Sequence, residues 1–86
     1  MQILRKQHRT TQEHLKNVFI ELIQSYGIGS IVRWNGFEFE GKTKGTSIRG
    51  KIFHDEIQVE VSGWFEHIAA QKLQDGWNEL VMKGLV

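Results

Sequence analysis

Four histidines, His8, His14, His54 and His67, are the first residues to test for metal or acid–base chemistry. No two of them stand at the i, i+4 spacing that puts two imidazoles on one helix face, and no Glu-x-x-His repeat occurs. His54-Asp55-Glu56 sets three ligating residue types in a row, but neighbouring side chains in a tight turn diverge. The sequence therefore predicts neither a metal site nor a cofactor. Glu38 and Glu40 project from one strand face, as a general acid and base would. Catalytic carboxylates need a concave, partly dry site to tune their pKa values, and these two alternate with basic residues on a face expected to meet water. Gly41-Lys42-Thr43-Lys44-Gly45 has the glycines and lysines of a phosphate loop. It lacks the Gly-x-x-x-x-Gly-Lys-[Ser/Thr] spacing, and a strand rather than a helix follows. No catalytic set emerges, and the expectation is a protein that is not an enzyme.

Binding chemistry is better represented. Net charge is only +1, yet the bases are bunched: Arg5, Lys6, Arg9 and Lys16 in residues 1–16, then Lys42, Lys44, Arg49 and Lys51 in residues 42–51. If the two segments meet, Arg5, Arg9, Lys42, Lys44, Arg49 and Lys51 would form a polyanion or nucleic-acid contact; otherwise they are two solvated runs. Against nucleic acid, Trp34, Phe37 and Phe39 fall on the helix-facing side of the sheet, where they could not stack on bases. A second set is apolar: alternation places Ile31 and Phe53 on the outer face, and Trp64 lies off the helix face beside Phe65. Scattered, such residues are ordinary; gathered, they would mark a partner surface.

These residues are positioned by two helices flanking two hairpins. Thr10 and Glu13 have the spacing of a capping box, and Leu15, Val18, Phe19, Leu22, Ile23 and Tyr26 recur at helical period until Gly27, predicting a helix over 11–26. Asn35-Gly36 is a strong hairpin turn signal over residues 31–40. With those two as the turn, Trp34 opposes Phe37, Val32 opposes Phe39 and Arg33 opposes Glu38. A Gly41–Gly45 loop leads to a second hairpin about His54-Asp55, pairing Ile52 with Ile57, Gly50 with Val59, Ile48 with Val61 and Arg49 with Glu60. Gly50 leaves a gap on the core face that something bulky should cover. A second helix is expected over 64–82, with Phe65, Ile68, Ala69, Leu73, Trp77 and Leu80 inward and Gly76 letting it approach the sheet over an aromatic such as Trp34. Gln2–His8 is short and alternating and could add a strand at a sheet edge.

The fold class expected is α+β: a two-layer domain, an antiparallel four-stranded meander with two helices packed on one face, order (β)αββββα, and a fifth N-terminal strand left open. Residues 1–86 make one such domain. Arg33, Glu38, Glu40, Arg49, Lys51, Gln58 and Glu60 occupy its outer face. The chain has no cysteine, which fits a reducing, cytoplasmic compartment, and no apolar run long enough to span a membrane. The basic N-terminus has no apolar run after it, unlike a secretory signal.

The order of features resembles the putative polyhydroxyalkanoic acid system proteins of bacteria, whose genes lie near polyester-granule genes. The resemblance rests on Ile3-Leu4-Arg5-Lys6-Gln7-His8 before an amphipathic helix, on Trp34-Asn35-Gly36-Phe37-Glu38-Phe39, and on Gly50-Lys51-Ile52 and Ile57–Val61 before a closing helix. The chain departs from the family at Lys42-Thr43-Lys44, where an acidic or neutral turn is usual. It departs again at Ser62-Gly63-Trp64-Phe65, where a leucine-rich segment with a proline is usual. The resemblance implies a small cytoplasmic, non-enzymatic accessory protein associated with polyester granules, and it carries over no site residues. The expected partner is a granule surface or another protein, and the apolar residues that alternation leaves exposed, Phe53, Trp64 and Ile31, are the candidate hydrophobic contacts. Polyanion binding is the alternative, and the exposed edges of a short sheet make a homodimer plausible. A small-ligand cavity between helices and sheet is a third reading, against which the small core counts.

Overall fold

The computed structural model describes residues 1–27, 29–43 and 45–86. Five strands form one antiparallel sheet: β1 (Gln2–Gln7), β2 (Val32–Asn35), β3 (Glu38–Thr43), β4 (Thr46–Ile52) and β5 (Glu56–Gly63). Their order in space is β1-β5-β4-β3-β2. The meander is as expected, and the N-terminal segment is a fifth strand beside β5. Helices α1 (Gln12–Ser25) and α2 (Glu66–Met82) cover one face. Leu15 and Ile23 of α1 and Ile52, Ile57 and Val61 of the sheet are the most deeply buried side chains. Each is stabilised by about 1.5–3 kcal/mol relative to exposure.

The second hairpin has the predicted register, Ile52 opposite Ile57, Gly50 opposite Val59 and Ile48 opposite Val61. Arg49 Nε lies 3.1 Å from Glu60 Oε2 across the outer face. The first hairpin is slipped by two residues from the expected pairing: Trp34 opposes Phe39, Arg33 opposes Glu40 and Val32 opposes Gly41. Its turn is Gly36-Phe37, with Gly36 at φ +63° and no positive φ at Phe37, the pattern of a type II′ turn with glycine at the first central position. A slip of two keeps every side chain on its face. It also sets Trp34 against Phe39, ring centroids 4.8 Å apart, with Phe19 of α1 completing the cluster. Phe39 is the bulky group over Gly50, where an added Cβ would lie 2.6 Å from the ring. The expected Gly41–Gly45 loop is mostly strand: Gly41 to Thr43 belong to β3, and Thr43 pairs with Thr46.

At the start of α1 the cap is Thr11 rather than Thr10, the His14 amide donating to Thr11 Oγ1 at 3.1 Å. Glu13 instead sits in the first turn, where a carboxylate favours the helix dipole. Gly27 ends the helix at φ +75°, as expected. Gly76 does not lie over Trp34. A Cβ there would collide with the Tyr26 hydroxyl and Leu22, so this glycine brings α2 against α1. The Tyr26 hydroxyl donates to the Lys72 carbonyl at 2.6 Å across that contact.

Candidate functional site

The junction of β5 and α2 is built by glycines and backbone hydrogen bonds. Gly63 stands at φ +116°, and a Cβ there would strike the Gly45 carbonyl oxygen. The close approach lets the Trp64 amide donate to the Gly45 carbonyl at 2.8 Å and the Phe65 amide donate to Thr46 Oγ1 at 3.2 Å. Thr46 is itself buried. Trp64 is therefore tethered through its backbone, with its ring alongside Gly45, while its side chain is 90% exposed.

Beside it, Phe65 and Ile68 are 52% and 58% exposed, although helical periodicity placed both inward. The buried face of α2 is Ala70, Leu73, Gly76, Trp77 and Leu80. The contact of Gly76 with Tyr26 and Leu22 fixes the rotation of the helix, and this turns Phe65 and Ile68 to the rim. Trp64, Phe65 and Ile68 thus form an apolar ledge at the N-terminal end of α2.

Below the ledge an apolar groove of about 200 Å³ opens between α2 and the helix-facing side of β3 and β4. Phe65, Ile68, Ala69 and Leu73 form its roof, Gly41, Thr43 and Ile48 its floor, and Tyr26 and Ile31 its far end. Ile31 belongs to a short 3-10 turn (Gly29–Ile31) that precedes β2, so strand alternation misplaced it on the outer face. Lys72 is the one charged residue among the described lining residues. Burial raises the Tyr26 pKa above 10.0, with Asp75 and then Glu79 adding to the effect.

Phe53 lies apart from Ile31 and Trp64, at the far end of β4, about 20 Å along a six-step strand. It is half-buried, with Lys51 Nζ 5.3 Å from its ring centroid. The turn beside it is fastened to the N-terminal segment. His8 Nε2 donates to the Phe53 carbonyl at 2.8 Å, and the His8 amide donates to the Asp55 carbonyl at 2.9 Å. A carbonyl only accepts, so Nε2 carries the proton. His8, the last residue of the Ile3–His8 segment on which the resemblance partly rests, is buried in that structural role.

The basic residues do not gather into one patch. Arg49 is paired with Glu60 and Lys51 with Glu38, the latter at 3.7 Å. On the open sheet face Arg33, Arg49 and Lys51 alternate with Glu38, Glu40 and Glu60 around a shallow polar trough of about 540 Å³. Arg5 projects from the β1 edge, exposed, opposite Gln58. Arg9 follows His8 at the Asp55 end of the sheet, and exposed Lys42 stands near the other end opposite Ser47. Lys44 lies outside the described residues. Among the described residues no three His, Cys, Asp or Glu side chains converge as a metal site, and no helix is long and apolar enough to cross a membrane.

The sequence pointed to Trp64 and Ile31 but missed Phe65, Ile68 and Lys72. The available signal was Gly63-Trp64-Phe65, two aromatics after a glycine where α2 starts without a side-chain cap. Comparison of the chain with family models, with curated proteins and with solved structures found no match.

Proposed function

We propose that this is a non-enzymatic binding domain that docks on an apolar surface through the ledge of Trp64, Phe65 and Ile68. The observation that carries the reading is three exposed apolar residues within five positions at the start of α2, one of them a backbone-tethered, 90% exposed tryptophan. A tryptophan has only two side-chain torsions, and with its backbone already held it loses little entropy on contact, which suits it to a binding role. The resemblance noted from the sequence makes the surface of a cytoplasmic polyester granule the preferred partner. A polyanion is disfavoured because the bases of the open face are interleaved with acids.

Sedimentation with poly(3-hydroxybutyrate) particles tests this. Wild type should co-sediment with little dependence on salt, Trp64→Ala/Phe65→Ala should lose about tenfold in binding, and Phe53→Ala should bind normally. A wild type that stays in the supernatant, or a double variant that binds unchanged, overturns the proposal. Binding to a single-stranded oligonucleotide that weakens steeply with salt would favour the polyanion reading instead.

A further inference from the structure

The groove differs in character from the ledge above it. It is recessed, its walls are mainly aliphatic and aromatic, and Lys72 alone brings charge among the described lining residues. Among the described residues four ion pairs and a His54–Asp55 contact occur, and Lys72 belongs to none of them. An exposed lysine without a counter-ion, beside an apolar slot, is complementary to a molecule that is hydrocarbon at one end and anionic at the other.

We propose that the groove binds the alkyl chain of a single short carboxylic acid, with the carboxylate at Lys72. Size sets the chain length. An apolar cavity of about 150 Å³ takes benzene, so about 200 Å³ accommodates about eight carbon atoms. Ile48 below and Ile68 and Leu73 above would enclose the chain, and Ala69 leaves the roof thin where it passes. The head group belongs at Lys72 rather than at Tyr26. The Tyr26 hydroxyl is already committed to the Lys72 carbonyl, and the charges of Asp75 and Glu79 bear on that tyrosine. This goes beyond the docking reading, because a dissolved acid can enter the groove whether or not the ledge meets a particle.

Titration of the full chain with butanoate, hexanoate, octanoate and decanoate, followed by methyl chemical shifts, tests the proposal. Affinity should rise about fourfold per added methylene up to octanoate and level off at decanoate, with shifts centred on Ile31, Ile48, Ile68 and Leu73. Lys72→Gln should weaken octanoate at least fivefold, leave 1-octanol unchanged and leave particle sedimentation intact. Ala69→Phe should fill the slot and abolish binding. Absence of saturable shifts with octanoate, equal binding of octanoate and octylamine, or an unchanged octanoate affinity in Lys72→Gln overturns the proposal. The lysine variant is decisive even if Ala69→Phe does not fold.

Discussion

At the scale of single residues, two neighbouring threonines show what the sequence could and could not fix. Thr10 and Glu13 satisfy the spacing of a capping box, yet Thr11 holds the His14 amide. One residue of ambiguity at a helix start is ordinary when two capping residues are adjacent. Thr11→Ala should cost about 1 kcal/mol, and Thr10→Ala less than about 0.5 kcal/mol, read as urea midpoints at constant m-value. An equal loss in both would contradict the cap assignment. The hairpin turns make the same point. His54-Asp55 is a weaker turn signal than Asn-Gly and left room for a slip in the second hairpin, yet the register that pairs Arg49 with Glu60 and matches three apolar pairs is the one that forms. In the first, the turn can centre on Asn35-Gly36 or on Gly36-Phe37, a shift of one residue that changes the pairing by two, and neither alternation nor charge separates them because both keep the same faces. The aromatic contact of Trp34 with Phe39 accompanies the observed choice.

At the scale of elements, the rotation of α2 is what sequence periodicity could not supply. The helical stripe of Leu73, Trp77 and Leu80 was legible, but whether Phe65 and Ile68 or Ala70 completed it at the N-terminal end depended on α1. Gly76 and Tyr26 decide it by letting the two helices touch. Gly76→Ala should therefore destabilise by about 1–3 kcal/mol despite the gain of about 1 kcal/mol in helix propensity. Its thermal midpoint would be the measurement, and a rise would show that the helices have room to spare. The hydroxyl of Tyr26 gives a second handle. Its pKa is raised in the fold, first by burial and then by Asp75 and Glu79. Above pH 10 the unfolded chain releases this proton before the folded one does, so stability is unaffected below pH 10 and falls as pH rises toward and through the folded pKa. Tyr26→Phe should lose about 1 kcal/mol at neutral pH and show a shallower alkaline decline than wild type in denaturation from pH 9 to 12.

At the scale of the whole molecule, the two faces of the sheet divide the labour. One packs against both helices and opens at the groove; the other presents alternating charges to water. The fold class was legible because apolar and polar residues alternate cleanly over both hairpins, whereas the groove arises only where helix rotation and the 3-10 turn meet. The edges differ from the centre in a measurable way. β2 has four residues and one neighbour, while β4 and β5 are paired on both sides. Amide exchange should be fastest in the outward-facing N–H groups of β2 and slowest in β4 and β5; equal protection throughout would indicate a covered edge. The position of β1 has a further consequence for how the protein is made. The strand is translated before the rest of the sheet, but the β5 residues it pairs with lie about 50 residues later in the chain. At 5–20 residues per second the delay is about 3–10 s. During it, Arg5, Lys6 and Arg9 keep an unpaired strand charged, which discourages union with a strand of another nascent chain. The contiguous meander from β2 to β5 can assemble before β1 docks, so the earliest strand of the sheet is the last to find its place in it.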